Sequence, residues 1–394
     1  MDTTPSFRFA SRRTCLTGYG SRLTLRTPPR DGLLADASAV LGGLGPDDRL
    51  VGALPFAHDA PAALFVPERI DIDLRPVRRP RARATVEMPV TIDVCAEPQP
   101  FGYCQMVQAA LDRFRAARTD DEAALRKVVL ARTLLATFED PIDPGTVFEA
   151  LCDDPASTVY QTAFTRADGH AAHFIGASPE LLVDRQGDVV RSMPMAGSTP
   201  RAATTAADRE RAARLLASEK DRREHRLVVE SVLDALAPFC HQLDAPSTPE
   251  LASTATMWHL ATPVIGRLRG DHSSLELALA LHPTPAVCGT PCAVAREAIA
   301  ALEPFDRGLF TGAVGWTDGR GDGCWMVSIR CAEICGAQAR LYAGAGIVAG
   351  SDPVAEANET GAKFGALLNA LGMPSSPLPA VRPGASPDRV RLHA

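Results

Sequence analysis

Strand-like segments come in clusters along this chain, and long helical stretches separate the clusters. Four short apolar segments with turn residues between them follow one another from Val159 to Met193, as in an antiparallel meander. Helical spacing then predicts one long helix over 206–237, where leucines and valines form an inward face. Because strands and helices do not alternate regularly, this order predicts an α+β fold and not a parallel βαβ sheet.

The same criteria predict further elements on both sides of this region. Helices are expected over 104–118, 275–281, 293–302 and 353–371, the last of them ending at Gly372. Strands are expected over 127–138, 309–317, 325–334 and 340–345, and short strands near Arg8 and Val51. The basic, proline-rich stretch over 75–83 predicts a surface connector.

Composition excludes several classes of partner. With 394 residues, 46% of them hydrophobic and 22% charged, the chain can bury a large core. The net charge of -6 comes from interspersed acids and bases without a basic stripe, so we expect no nucleic acid partner.

No apolar segment has the length of a signal sequence or a membrane span, so we expect a cytoplasmic protein. None of the ten cysteines forms a CxxC pair, which favours free thiols over zinc ligands.

Two helices offer paired acids. Asp221 and Glu224 are three residues apart and therefore share a helix face, and Glu356 and Glu359 form a similar ridge on the last helix. Facing carboxylates suit Mg²⁺, which takes one or two protein carboxylates directly. Solvated helix faces with pairs such as Glu359 and Lys363 explain the same spacing. Spacing alone leaves both interpretations open.

Other polar and small residues stand at positions where two interpretations are also open. Lys127 begins an apolar strand, so it is either a residue that extends to the edge of the sheet or a functional one. Glu180 follows a turn-forming sequence between two strands. Gly197 and Gly344 follow strand-like runs, where they permit either a close ligand or a tight turn. His259 lies among apolar neighbours and by default is a core histidine.

Ordered motifs over residues 100 to 372 resemble those of the chorismate-utilising enzymes, and most closely of the isochorismate synthases of catecholate siderophore pathways. In chain order they are KVVLAR at Lys127, GASPELL around Glu180, SMPMAGS ending at Ser198, SEKDRREHRLVV around Glu224, WHLATP at His259, HPTPA ending at Ala286, EPFDRGLFTGAVGW, IRCAE containing Arg330, GAGIV from Gly344, and the ENET-like stretch Glu356–Thr360. The resemblance implies one large domain in which two extensive β-sheets pack together, with helices outside and the site between the sheets.

The resemblance also divides the chain into parts. Residues 96–372 would form the chorismate-binding catalytic region, and residues 1–95 would be a loosely matched N-terminal part of the same fold. The segment 373–394 is rich in proline, serine and arginine and is expected to be a disordered tail.

Individual roles follow from the resemblance residue by residue. Lys127 is implied as the general base that activates water, Glu180 as the general acid, and Glu224 with Glu359 as Mg²⁺ (magnesium) ligands. Arg330 and Lys363 are available to the carboxylates of chorismate. The implied substrate contacts are Gly197, Ser198, His259, Ala286, Arg330, Gly344 and Lys363.

The implied activity is that of an isomerase, isochorismate synthase, which we expect to work as a monomer in siderophore biosynthesis. Water must add at ring C2 while the C4 hydroxyl leaves, so one group takes a proton and another gives one. Salicylate synthase, which also eliminates pyruvate, is the alternative. The amine-transferring relatives carry a threonine-containing turn where this chain has Ala286, which disfavours them. A chorismate-binding scaffold without activity would have no need of base, acid and metal ligands together.

Overall fold

The computed structural model describes residues 4–73, 88–116 and 124–374. The connector expected over 75–83 and the tail after Pro374 lie outside these residues. Within them the chain forms twenty-two strands and nine α-helices, and one short 3-10 helix at Pro29–Asp31. The helices are α1 Leu33–Leu41, α2 Pro100–Ala116, α3 Pro144–Leu151, α4 Thr205–Ala217, α5 Glu219–Leu236, α6 Ser274–Leu281, α7 Cys292–Leu302, α8 Pro353–Lys363 and α9 Gly365–Ala370.

The strands are short, apart from two long neighbouring ones, β8 and β22, in the largest sheet. In chain order they are β1 Pro5–Ala10, β2 Cys15–Tyr19, β3 Leu23–Leu25, β4 Arg49–Leu54, β5 Ala63–Val66, β6 Arg69–Asp73, β7 Thr91–Glu97, β8 Lys127–Phe138, β9 Thr158–Thr165, β10 Ala171–Ser178, β11 Leu181–Gln186, β12 Val189–Met193, β13 Met195–Pro200, β14 Cys240–Asp244, β15 Glu250–Ser253, β16 Met257–Ala261, β17 Val264–Leu268, β18 Gly289–Thr290, β19 Ala313–Asp318, β20 Gly323–Val327, β21 Cys331–Cys335 and β22 Gln338–Val348.

These strands form three antiparallel sheets. The first sheet has ten strands in the order β18-β8-β22-β21-β10-β9-β1-β2-β6, with β7 also paired to β8. The second sheet has nine strands in the order β14-β17-β12-β11-β20-β19-β4-β5-β3. The third sheet has the order β13-β16-β15.

The two large sheets pack face to face around an aromatic core. Phe7, Phe9 and Phe174 of the first sheet share this core with Val314 and Met326 of the second sheet. Helices α1, α5 and α6 cover the other face of the second sheet, and helices α3 and α9 cover part of the first. Helices α2, α7 and α8 pack against β8 and β22. The predicted α+β sandwich with outer helices is therefore confirmed.

The expected meander between Val159 and Met193 is wrong in one respect. Strand β9 pairs with β10 in the first sheet, whereas β11 pairs with β12 in the second. The chain crosses between the sheets at Pro179 and Glu180, where proline cannot donate the hydrogen bond that would continue a ladder.

A second crossing divides the strand that was expected over 325–334. Its first part is β20 of the second sheet and its second part is β21 of the first. Between them lies Arg330, whose positive φ of 52° is incompatible with a continuous strand. The strand expected over 309–317 also starts later, at Ala313, because residues 309–311 form a turn.

The two longest predicted helices are each divided. Ser218 interrupts the helix expected over 206–237, since it has an extended backbone with ψ of 114° and its hydroxyl accepts a hydrogen bond from the N–H of Asp221 at 3.3 Å. Serine is a favoured N-cap residue for this reason. The last helix is divided between Lys363 and Gly365. Among the described residues, none of the helices has the length and apolar character needed to cross a bilayer.

Candidate active site

A cavity of about 100 Å³ lies where the chain crosses between the two large sheets, and the third sheet, α5 and α8 complete its walls. Lys127 lies just behind this lining, with its Nζ 2.9 Å from Oε1 of Glu224. The structure thus brings together all eleven residues that the resemblance had assigned. Ten of them line the cavity: Glu180, Gly197, Ser198, Glu224, His259, Ala286, Arg330, Gly344, Glu359 and Lys363.

Lys127 and Glu224 form a buried ion pair. The side chain of Lys127 has no exposed surface, and that of Glu224 is 9% exposed. Lys127 starts β8, where its neighbours in the sheet are Val348 and Thr290. The pair lies against Gly346, at which a Cβ atom would be only 2.2 Å from Oε1 of Glu224. A larger residue at this position of β22 would displace the Glu224 carboxylate and disturb the pair. Apart from this ion pair, the Lys127 Nζ has no hydrogen-bond partner among the described residues.

Glu180 is a buried acid at the first crossing, and it has no salt-bridge partner in the described part of the chain. Its Oε1 accepts one long hydrogen bond, 3.4 Å, from the N–H of Met195. Burial raises the pKa of Glu180 to about 7, although that hydrogen bond and the charge of Lys127 act in the opposite direction. Near neutral pH this carboxyl group can therefore carry a proton and release it.

Four acids from two helices form a second feature of the cavity, which we call the carboxylate wall: Asp221 and Glu224 of α5, and Glu356 and Glu359 of α8. Lysines lie against it, since Lys220 Nζ is 3.1 Å from Glu356 Oε1 and Lys363 Nζ is 2.7 Å from Glu359 Oε1. The fold therefore balances the clustered negative charge with amines of the same wall.

Hydrogen bonds hold Glu359 and Lys363 in place. The hydroxyl of Ser198 donates to Glu359 Oε1 at 2.7 Å, and Lys363 Nζ donates to the carbonyl of Gly344 at 2.9 Å. Burial raises the pKa of Glu359, but the charge and hydrogen bond of Lys363 and the hydroxyl of Ser198 outweigh it, so the net pKa is lowered. The pKa of Glu356 is raised by burial and by the charge of Glu359.

Arg330 and His259 face the cavity from the second crossing and the third sheet. Arg330 Nη2 lies 3.3 Å from His259 Nε2. Burial and the charges of Arg330 and Lys363 lower the pKa of His259 well below its usual value, so the imidazole is neutral. Burial lowers the pKa of Arg330 only to about 10, so the guanidinium stays charged. It forms no ion pair with any described residue, and a buried cation of this kind suits an anionic ligand.

Comparison with known proteins identifies the family. The sequence model of a family described as "Chorismate binding enzyme" matches residues 69–372. The chain belongs to this chorismate binding enzyme family.

Individual relatives of the family agree with this assignment. The chain is 43% identical to isochorismate synthase DhbC of Bacillus subtilis (strain 168) over 328 residues, which cover 82% of this chain and 81% of that protein. It is 42% identical to isochorismate synthase EntC of Escherichia coli (strain K12), with 82% and 81% covered. The crystal structure of DhbC from Bacillus anthracis superimposes with a TM-score of 0.86 at 40% identity, covering 95% of this chain and 98% of that one.

The donor atoms of the carboxylate wall fit a hard divalent cation. Among the described residues, no three histidine, cysteine, aspartate or glutamate side chains converge closely enough to hold a metal. Mg²⁺, however, needs only one or two protein carboxylates, because water and substrate oxygens complete its shell. Burial raises the pKa of Asp221 and that of Glu356, and the charges of neighbouring acids act in the same direction. A divalent cation bound at the wall would offset those charges.

Sequence reasoning missed some residues of the cavity. Lys220 stands four residues before Glu224 on the same helix, so its spacing could have found it. Glu356 was placed on the ridge of Glu359 but was not assigned a role. Thr311 lines the cavity with a φ of 59°, and nothing in the sequence signals this conformation.

Proposed function

We propose that this protein is an isochorismate synthase, an isomerase that converts chorismate to isochorismate for siderophore biosynthesis. One observation carries the proposal most directly: Lys127 and Glu180, an amine and a carboxyl group with a pKa near 7, are both buried at the same cavity. The names of the curated relatives support the same activity. The charged and polar groups that enclose the cavity also support this activity.

The reaction requires two proton movements, and the two buried groups supply them. We assign Lys127 as the group that takes a proton from the water that adds at C2. Glu180, acting in its protonated form, gives a proton to the C4 hydroxyl as it leaves. One water enters and one leaves, so the product is an isomer of the substrate. The raised pKa of Glu180 supplies the proton near neutral pH.

The remaining residues bind and orient the substrate. Arg330 and Lys363 supply positive charge for the two carboxylates of chorismate, and the neutral His259 and the hydroxyl of Ser198 supply polar contacts. Gly197 and Gly344 let the substrate approach the backbone, and Ala286 leaves the wall small.

Glu224 and Glu359 would hold Mg²⁺, with Asp221 and Glu356 nearby. Bound there, Mg²⁺ would fix a substrate carboxylate and offset its charge. We further propose that the enzyme acts as a monomer, since a single chain supplies every group named above, and that it works in the cytoplasm.

A product assay tests this function. Purified protein is incubated with chorismate and Mg²⁺ without ammonia, and the products are separated by chromatography with mass detection. We expect isochorismate in reversible balance with chorismate, and no pyruvate. Salicylate with pyruvate would indicate a salicylate synthase, and turnover that requires ammonia would indicate an amine-transferring enzyme; either result would contradict the proposal.

A further inference from the structure

Strand β8, which begins at Lys127, has an open edge in its middle. On one side β8 pairs with β22 along its length. On the other side β18 pairs only with Lys127 and Val128, and the pairing of β7 begins at Thr133. Within the described ranges, no strand pairs with this edge between those two segments. Backbone groups at such a buried edge need other partners.

The carbonyl of Cys288 accepts a hydrogen bond from the N–H of Val129 at 2.8 Å, and the side chains of Glu303 and Arg307 supply the next two partners. Glu303 Oε1 accepts a hydrogen bond from the N–H of Ala131 at 2.8 Å, and Arg307 Nη2 donates to the carbonyl of Val129 at 2.7 Å. The two side chains are joined by Arg307 Nε to Glu303 Oε2 at 2.8 Å and by Nη2 to Oε1 at 2.5 Å. The pair therefore offers one acceptor and one donor to β8, as a residue of a neighbouring strand would.

The same guanidinium reaches two further walls of the cavity. Arg307 Nη1 donates to the carbonyl of Val287 at 2.9 Å, next to Ala286, and to Thr311 Oγ1 at 3.2 Å. Thr311 lines the cavity in a left-handed conformation that is costly for a β-branched residue. The hydrogen bond from Arg307 helps to hold it there.

This ion pair is almost completely removed from water. The side chains of Arg307 and Glu303 are 2% and 1% exposed, and the rings of Phe56 and Phe310 lie 4.5 and 5.7 Å from the guanidinium carbon. Removing two charges from water costs free energy that mutual attraction repays only when the other hydrogen bonds are also satisfied. An apolar pair could fill the same volume, but it could not bind the backbone of β8. The pair is therefore better suited to fixing positions than to adding stability.

We propose that Glu303 and Arg307 are positioning residues that fix the strand of Lys127, the turn of Ala286 and Thr311 relative to one another. Neither side chain lines the cavity, so they act through these three segments. The inference rests on the proposed function, because the role of Lys127 as the base gives the geometry its catalytic consequence. A displacement of about 1 Å at a reacting group can cost about a hundredfold in rate.

The test uses Arg307→Lys and Glu303→Gln in the full-length enzyme with chorismate and Mg²⁺. One ammonium cannot reach Val129, Val287, Thr311 and Glu303 together. We expect kcat, corrected for the folded fraction, to fall about tenfold to a hundredfold in Arg307→Lys. Glu303→Gln should behave similarly, and the double variant should be no worse than the poorer single variant, because the two residues act as a unit.

Arg185→Lys is the matched control. Arg185 is also a buried arginine, and it donates to the carbonyls of Gly187 and Arg320 and to Asp271, away from the cavity. This variant should lose stability but keep the wild-type kcat and KM. The proposal is overturned if the folded Arg307→Lys enzyme keeps both constants as well, or if Arg185→Lys loses as much kcat. If Arg307→Lys does not fold, Glu303→Gln is judged by the same criteria.

Amide hydrogen exchange at Ala131 separates this inference from the proposed function. Exchange should be faster in Glu303→Gln than in the wild type, and unchanged in Arg185→Lys. If the wild type does not turn chorismate over, the proposed function fails, and the exchange rate alone then decides whether the pair holds the edge of β8. An unchanged rate at Ala131 would contradict it.

Discussion

Acids line the cavity in two places, and their surroundings are opposite. In the carboxylate wall, Glu359 lies against Lys363 and Ser198, which keep its pKa below the ordinary value. At the first crossing between the sheets, Glu180 has one long hydrogen bond, and burial raises its pKa to about 7. The same chemical group is thus kept ionised in one place, where it can hold a cation, and kept able to carry a proton in the other.

The largest effect should come from Lys127→Ala, which removes the only assigned base next to the carboxylate wall. We expect turnover to fall about 10²- to 10⁴-fold, the usual contribution of a positioned base or acid. Steady-state kinetics measure this, and circular dichroism checks that the fold is kept. Lys220→Ala removes another lysine of the same wall and should cost much less. Normal turnover in Lys127→Ala would exclude Lys127 from the mechanism.

The next effect concerns the metal. Glu359→Gln keeps the size of the side chain but removes its charge. The Mg²⁺ concentration that gives half-maximal rate should therefore rise at least about tenfold, because even the loss of a group that hydrogen-bonds a metal ligand has an effect of this size. Chelation of Mg²⁺ should stop the wild-type reaction. Glu230→Gln, on the exposed face of α5, should leave the Mg²⁺ dependence unchanged. An equal response of the two variants would show that Glu359 does not bind the ion.

A third test separates stability from activity at Glu180. Its pKa is raised in the folded protein from 4.5 to about 7, so its contribution to stability is complete below pH 4.5 and is lost as the pH rises through about 7. The loss amounts to about 3 kcal/mol at pH 8. Glu180→Gln cannot ionise, so its free energy of unfolding by urea, relative to wild type, should increase between pH 5 and pH 8. A difference that stays constant with pH would mean that burial does not raise the pKa of Glu180.

The smallest effect should come from Ser218, the N-cap residue of α5, which is the helix that carries Asp221 and Glu224 of the carboxylate wall. Ser218→Ala removes the hydroxyl that accepts from Asp221 and should cost about 1 kcal/mol of unfolding free energy. Thr204→Ala removes the corresponding cap of α4 and should cost a similar amount. Only Ser218→Ala should also change the Mg²⁺ dependence, because α5 carries Glu224. Equal kinetics in the two variants would count against a role for this cap in the site.

The carboxylate wall could be predicted from sequence better than the crossings could. Helical spacing alone placed Asp221 with Glu224 and Glu356 with Glu359, since residues three apart share a helix face. The bounds of β8 were also predicted, because a run of β-formers between a helix and a turn is a local signal. The resemblance, and not the spacing, brought the eleven residues to one site.

The crossings depend on pairing between distant strands, which a local pattern does not contain. Two hairpins in different sheets have the same alternation as one meander. Pro179 was a local signal of a break, whereas an arginine gives no sign of the positive φ found at Arg330. The i,i+4 spacing of Glu303 and Arg307 resembles a surface pair, and only the fold shows that they are buried against β8.

The most direct test of the account is the pH dependence of kcat/KM for wild type and Glu180→Gln, measured from pH 5.5 to pH 9 on the isomerisation of chorismate. Because Glu180 must be protonated to act as an acid, the wild-type value should fall as the pH rises through about 7. Glu180→Gln should be slower, about a hundredfold or more, and should lack this decline. A decline at the same pH in both proteins, or none in the wild type, would contradict the assignment of Glu180 as the acid.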